Sequence, residues 1–389
     1  MGYEPTVFNQ LFNFIPRYTF QKAADRLGSD RYAKSFRAWP QFLVLLYAQA
    51  TGKQTLRELT GGLQVHASRL YHLGLKPTPR STIADGLSRR NSNLFEEMFR
   101  ELVHRTARLA PKHRFRFRHP LYSLDATTID LCLSVFDWAK FRKQKGAVKL
   151  HCQLDHSGHI PVFAHISDGK MHDAKAAREF FSITPDSIYC VDRGYIDFEW
   201  LHSIEKQGAF FVTRARSNMD YRITGQHSEG GKRGVLSDRI IQLNGPASSQ
   251  KYPNRMRLIT FKDEESGAMY RFMTNHFRLA ASTVAEIYKQ RWQIELFFKW
   301  IKQNLKIKTF LGTSKNAVMA QIWTAMIYYL LLSYIQFMTK APMSLTTMAR
   351  RIKDGLMMRM DLMELFCLNP DKPPHPPNEH EAIQMLFIL

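Results

Sequence analysis

The chain has 389 residues, 44% of them hydrophobic and 12% aromatic, enough apolar mass for one large core or two to three modest ones and too much for a disordered chain. Lys and Arg number 55 against 34 Asp and Glu, a formal charge of +21 that no average metabolic enzyme needs and that favours a polyanionic partner, nucleic acid ahead of an anionic membrane. The four cysteines (Cys132, Cys152, Cys190, Cys367) lie far apart without a Cys-x-x-Cys, which argues against a zinc ribbon or a disulfide scaffold and reads as buried, reduced thiols.

The first sixteen residues mix Glu4, Asn9 and Asn13 among apolar ones, unlike a signal peptide, so a cytoplasmic protein is expected. Residues 1–115 show apolar spacing of helical period and few β-branched runs. Thr55-Leu-Arg-Glu58 is a capping-box pattern, and Gly61-Gly62 is expected to end the helix it opens. Pro77 and Pro79 break the chain before Ser81-Thr82, the expected cap of a helix holding Arg89 and Arg90. Residues 1–120 hold 20 Lys or Arg and 8 Asp or Glu, more than half of the net charge. A helical, basic DNA-binding domain with Arg89 and Arg90 as DNA contacts is expected; a basic helical domain that merely docks on the rest is the plainer alternative.

In residues 111–120 Arg alternates with Phe, so an extended chain there sets Arg114, Arg116 and Arg118 on one side. Strands are then expected at Leu121–Ala126, Lys149–Leu154 and Ile160–Ile166, the last two joined through Asp155-His-Ser-Gly158, which makes three antiparallel strands. Asp173 is expected as the N-cap of a helix through Phe181, and Ser187–Val191 as a short buried strand ending at Asp192. Residues 215–280 are richer in Gly and Ser with strands at Met256–Phe261 and Tyr270–Thr274, and a helix opens near Ser282. The expected divisions are a core in two parts, 116–214 and 281–345, a β-rich insertion at 215–280, and a tail at 346–389. Ala317–Thr339 has no formal charge and is long enough to cross a bilayer, but Gln321, Thr324, Ser333 and Gln336 interrupt it and favour a core helix. Residues 369–378 are Pro-rich and the last residues turn apolar; Gly230–Gly234 lacks P-loop spacing, and His375 and His380 lack metal-ligand partners.

The sharpest chemical signal lies in the helix from Ser282. Tyr288, Arg291, Glu295 and Lys302 fall within about 60° of one another on a helical wheel, with Ile287, Ile294, Phe297, Ile301 and Leu305 beside them as a buried stripe. Arg291 with Glu295, and Glu295 with Lys299, are also ordinary salt-bridge pairs of a solvated face. Asp125 and Asp192 weigh against that plain reading: an acid inside a central strand, or at the end of one, is costly unless a cation neutralises it. Three carboxylates from a strand, a strand end and a later helix suit Mg2+, and two such ions about 4 Å apart drive in-line displacement at a phosphodiester.

These residues resemble a known family. Asp125, Asp192 and the set Tyr288-x2-Arg291-x3-Glu295-x6-Lys302 look like the DDE transposases of bacterial insertion sequences, in the group carrying the Tyr-Arg-Glu-Lys (YREK) signature; the Asp192-Arg-Gly-Tyr195 surround and the β-rich insertion are similar too, over roughly residues 80–340. The resemblance implies an α/β fold: an RNase H-like mixed-sheet catalytic core with a β-rich insertion, preceded by an all-helical N-terminal DNA-binding domain. It implies an enzyme that cuts element ends and joins them to target DNA by two-metal displacement. Asp125, Asp192 and Glu295 would be catalytic and hold two Mg2+ ions, with Mn2+ as an alternative. Tyr288, Arg291, Lys302 and Lys299 would contact double-stranded DNA, the terminal inverted repeats and the target, within a synaptic homodimer and without a membrane. A hairpin intermediate would need an aromatic to hold a flipped base. No Trp lies between Trp200 and Trp292, which leaves Tyr270, Phe272 and Phe277 for that role. The competing reading is a basic DNA-binding regulator whose catalytic acids have decayed.

Overall fold

The computed structural model of the chain describes residues 5–132, 136–142, 145–228, 233–304 and 310–367. The Pro-rich run and apolar end, His375, His380, Leu305 and most of Gly230–Gly234 lie outside them.

The chain opens with helices α1 (Val7–Asn13), α2 (Arg17–Arg26), α3 (Ala38–Thr51), α4 (Leu56–Val65), α5 (Ala67–Leu70), α6 (Arg80–Arg89) and α7 (Asn93–Ala107). Helix α3 is buried almost all round and stops at Gly52, whose φ of +71° suits glycine at a helix C-terminus. At α4 the Thr55 hydroxyl accepts from the Glu58 amide at 3.1 Å, and the Glu58 carboxylate accepts from the amide of Gln54 at 3.0 Å, so the capping box forms one residue early on its return arm. Gly61-Gly62 does not end this helix, contrary to expectation. A Cβ on Gly62 would come within 2.8 Å of the Tyr47 hydroxyl, so the glycine serves the close approach of α4 to α3. Helix α6 starts at Arg80 with Pro79 in the cap position, two residues ahead of the cap expected at Ser81.

Among the described residues ten strands form one sheet: β1 (Leu121–Leu131), β2 (Lys140–Arg142), β3 (Lys145–Asp155), β4 (Ile160–Asp168), β5 (Ile188–Val191), β6 (Phe210–Arg214), β7 (Tyr221–Ser228), β8 (Val235–Leu243), β9 (Met256–Lys262) and β10 (Met269–Thr274). The order is β2-β3-β1-β5-β6-β10-β9-β8-β7, with β4 also on β3. Strands β1, β3 and β4 pair antiparallel, whereas β1, β5 and β6 run parallel, the RNase H-like arrangement; β10 then adds antiparallel to β6 and carries the sheet through the inserted strands. Helices α8 (Asp173–Phe180), α9 (Phe198–Lys206), α10 (Pro246–Lys251), α11 (Ala281–Gln290), α12 (Trp292–Asn304), α13 (Lys315–Thr339), α14 (Leu345–Gly355) and α15 (Leu362–Cys367) complete the chain.

Three apolar clusters hold these parts together. The largest joins the N-terminal helices to α12, α13, α14 and one face of β1, β3 and β4; Phe99 of α7 meets Trp323 of α13 at 5.2 Å between ring centroids. A second packs Trp200 and Leu201 of α9 on Tyr189, Val191 and Phe211, and a third packs Val284 and Ile287 of α11 on Leu121, Ile188 and Val212. Helix α13 contains the uncharged run and is the one helix among the described residues with the length and hydropathy to cross a membrane; 89% of its most apolar window is buried inside the protein. The four residues that interrupt the run find partners there: Gln321 accepts from the Leu311 amide, Thr324 and Ser333 donate to the Ala320 and Tyr329 carbonyls, and Gln336 donates to the Met343 carbonyl. Cys152 and Cys190 are buried, but Cys132 and Cys367, at element ends, are exposed.

The inserted strands carry a buried ion pair of their own. Arg257 donates to both carboxylate oxygens of Asp238 (3.1 and 2.6 Å) and to the carbonyls of His276 and Leu279, both at 2.7 Å. Removing the cation strands a buried carboxylate, so Arg257→Met should cost about 3–5 kcal/mol in urea denaturation. A cost below about 1 kcal/mol would show that the pair does not anchor the insertion.

Candidate active site

Parallel pairing of β1 with β5 sets Leu124 opposite Val191. One step further along come Asp125, in the middle of β1, and Asp192, just past the carboxyl end of β5, so the two acids emerge side by side on neighbouring strands. Glu295 reaches the same place from the first turn of α12. The helix that delivers it is not continuous: α11 ends at Gln290, α12 begins at Trp292, and Arg291 occupies the joint, where the amides of Arg291 and Ile294 donate to carbonyls three residues back. The break follows from burial, because Val284 and Ile287 pack in the sheet's parallel-strand cluster and Ile294, Phe297 and Ile301 in the large helical one. Tyr288 and Lys302 therefore do not share one continuous helix, contrary to expectation; each half keeps its own face.

At the joint, the signature residues bind the acids. One Arg291 guanidinium nitrogen lies 3.5 Å from an Asp125 oxygen, and another donates to Glu295 at 2.5 Å. The Tyr288 hydroxyl donates to Asp192 at 3.2 Å. Burial pushes the Asp125 carboxyl up to about 6, despite the Ala126 amide and Arg291, which favour its charged form. Burial also opposes the Arg291 charge, but Tyr288, Glu295 and Asp125 hold that guanidinium above its ordinary value. The Tyr288 phenol is raised by burial, with Asp192 adding to it.

Behind the acids is a layer that the sequence underweights. Asp173 is not the N-cap of α8; His172 holds that position, and the Asp173 carboxylate turns instead to Lys149 at 2.9 Å, with His151 at 3.8 Å. The Tyr195 hydroxyl is buried with no hydrogen-bond partner among the described residues, and its ionisation is raised by burial and then by Asp125 and Asp173. Its place in Asp192-Arg-Gly-Tyr195 was the available signal.

The other expected DNA contacts lie elsewhere. Lys299 is exposed and Lys302 half-buried further along α12, and Arg89 is exposed at the end of α6. Arg90 is not a free surface cation: its side chain is 9% exposed and donates to the carbonyls of Ser29 and Phe36 and to Gln41, so it is a structural tie. Trp300 packs on Tyr329 and donates to Thr346, whereas Trp292 is exposed. An open pocket of about 390 Å3 beside the acids is lined by Arg214, Tyr270, Phe272, Tyr288, Arg291 and Trp292, with the carboxylates of Asp263 and Glu286 also on its wall. Phe277 lies outside it, against His227.

Residues 116–331 match the family described as Transposase DDE domain, more than half of the chain. The chain belongs to the DDE transposases. Its enzyme class acts on DNA, and its relatives include transposases of insertion sequences. A Sinorhizobium fredii protein named as a transposase, y4zB, is 32% identical over 320 residues, 80% of this chain and 88% of its own. A Geobacillus stearothermophilus protein named as the probable transposase for insertion sequence element IS5377 is 29% identical, covering 63% of this chain and 65% of its own. Residues 4–76 of the transposase match a domain of unknown function (DUF4372). The piggyBac transposase synaptic complex with hairpin DNA, solved by cryo-EM, overlaps 98% of this chain and 84% of its own at a TM-score of 0.45 and 10% identity, too loose a likeness to add to the assignment.

A divalent cation fits the donor chemistry: hard carboxylate oxygens, one of them on a half-buried acid whose charge is opposed by desolvation. Among the described residues no three His, Cys, Asp or Glu side chains already converge on one ion, because Arg291 stands between Asp125 and Glu295. Asp125 also sets a pH dependence. Its folded value of about 6 exceeds the ordinary 3.8, so the stability it gives as a neutral acid is complete below 3.8 and lost as pH rises through 6. Between pH 4 and 7 the metal-free transposase should lose roughly 2–3 kcal/mol more than Asp125→Asn in urea denaturation. Parallel pH profiles would show that Asp125 is not strained by its charge.

Proposed function

We propose that the chain is an insertion-sequence transposase that cleaves DNA at its element's ends and joins them to target DNA with Asp125, Asp192 and Glu295 as its catalytic acids. The observation that carries this reading is that Arg291 and Tyr288, both signature residues, touch all three acids, which the middle of β1, the end of β5 and the first turn of α12 bring together. The acids would hold Mg2+, in two sites, with Mn2+ a substitute; bound there, the ions supply charge neutralisation and activation of oxygen for in-line displacement. The chain's own residues prepare the site. Arg291 keeps Asp125 and Glu295 near each other without mutual repulsion, and Tyr288 orients Asp192. A DNA phosphate would draw the Arg291 guanidinium from carboxylate to phosphate oxygen, a like-for-like exchange of charge-assisted hydrogen bonds. Lys299 and Lys302 would extend the phosphate contacts along α12, and two copies would act in a synaptic complex.

The pocket beside Arg291 supports a hairpin route. Tyr270 and Phe272 stack at 5.9 Å between centroids, Arg214 lies over Tyr270 at 4.9 Å, and Trp292 is 57% exposed at the rim. Such a pocket accepts a planar base by stacking.

Strand cleavage of DNA carrying the element's flanking ends tests the reading. Asp125→Ala, Asp192→Ala and Glu295→Ala should each lower Mg2+-dependent cleavage by more than about a thousandfold while end binding changes little. Full cleavage in any of the three would remove that acid from the site. On the same DNA with 2-aminopurine near the cleaved end, wild type should brighten the probe and a Tyr270→Ala, Trp292→Ala double variant should not; equal brightening would exclude the pocket as the base site.

A further inference from the structure

A second charged layer stands behind the acids. Across β1 and β3 Asp125 pairs with Cys152, Ala126 with His151 and Thr128 with Lys149, so His151 and Lys149 leave the sheet on the face opposite Asp125. There they meet Asp173, the first residue of α8. The Lys149 ammonium lies 2.9 Å from Asp173 Oδ1 and donates to the Met171 carbonyl at 3.0 Å, which fixes it between the helix start and the turn before it. His151 is fully buried, and its Nε2 lies 3.0 Å from the Ser167 hydroxyl. Ser167 gives its one proton to the Asp168 carbonyl at 2.9 Å, so it accepts from His151 Nε2–H and leaves Nδ1 as a bare lone pair 3.8 Å from Asp173 Oδ1. Burial keeps that imidazole neutral, its ionisation pushed down to about 4 against the pull of Asp173. Among the described residues Lys149 is thus the one cation in contact with Asp173. Buried groups surround the two acids on this side: Cys152 is 0% exposed, and Tyr195, 1% exposed, closes the turn after Asp192 with its amide donating to the Asp192 carbonyl at 2.9 Å. Burial raises the Tyr195 phenol, and Asp125 and Asp173 are the first charges that add to it. Burial, then Glu295, then Asp173 raise the ionisation of Asp125. Lys149 is not among the leading charges on either group, so the pair turns its acidic end toward the site.

We propose that the Lys149–Asp173 pair sets how strongly the catalytic acids draw a divalent cation: Asp173 is a fourth acid that acts on the site through its field rather than by ligation, and Lys149 offsets it in part. Both are positioning residues, since neither touches a reacting atom. The proposal rests on Asp125 as a metal-holding acid and names residues outside the three acids that regulate its affinity. A charge acting through packed side chains is screened less than one acting across water, so Asp173 reaches the site from the far face of the sheet. Removing either member of the pair leaves the other uncompensated. The two deletions therefore act with opposite sign on cation binding, an outcome that loss of packing does not produce.

The test is calorimetric titration of Mn2+ into the full chain without DNA. Asp173→Asn should weaken binding about fivefold, Lys149→Met should tighten it about fivefold, and the double variant should return to within about twofold of wild type. Asp173→Glu, which keeps the charge, should bind as wild type does. The Mg2+ concentration for half-maximal strand cleavage should move in the same directions. Weaker binding in both single variants would reduce the pair to a tie between β3 and α8, and unchanged binding in both would show that its charge does not reach the site; either result overturns the proposal. Should Lys149→Met fail to fold, Lys149→Gln carries the same prediction. Asp125→Asn separates the two readings: if it weakens Mn2+ binding while the pair variants do nothing, this proposal alone falls, and if it too leaves binding unchanged, the three-acid reading falls with it.

Discussion

Asp125 stands on a central strand of a ten-stranded sheet, where burial disfavours its charge and raises its ionisation to about 6. Much in the site follows from how that charge is met. Arg291 meets it at 3.5 Å while also holding Glu295, from the joint between α11 and α12. Such a cluster costs stability: each group is partly stripped of water, and only a partner of opposite sign compensates it. Carboxylates gathered where neighbouring parallel strands meet a helix, with one ionisation shifted by burial, mark a candidate site.

The rest of the molecule keeps that cluster in place. The antiparallel β3 and β4 brace one side of β1, and the parallel β5 and β6 set Asp192 beside it. The large helical cluster anchors α12 through Ile294, Phe297 and Ile301, while α11 is held by the sheet; the joint at Arg291 is where the two anchorages meet. Because α13 shares its core with the N-terminal helices, they form one packed body with the acid-bearing strands.

Much of this was legible in the sequence because local signals and burial agree there. Short apolar runs bounded by turns gave β1, β3, β4, β5, β9 and β10, and the spacing of Tyr288, Arg291 and Glu295 marked residues that do meet the two aspartates. The failures occur where a tertiary contact overrides a local preference. Gly61-Gly62 reads as a helix end, yet close packing against Tyr47 is its use. Asp173 reads as a cap, yet Lys149 claims its carboxylate. Arg90 reads as a surface cation, yet two carbonyls and Gln41 bury it. The break at Arg291 has no Gly or Pro to announce it; it comes from two faces packing into two cores.

Arg291 as the resident counter-charge of an acid site built for a divalent cation is the central claim, and Mn2+ titration followed by EPR measures it most directly. Removing a competing cation a few ångströms from the carboxylates should tighten Mn2+ binding about tenfold in Arg291→Gln relative to wild type, and Asp125→Asn should weaken it. Equal Mn2+ affinity in wild type, Arg291→Gln and Asp125→Asn would contradict the claim.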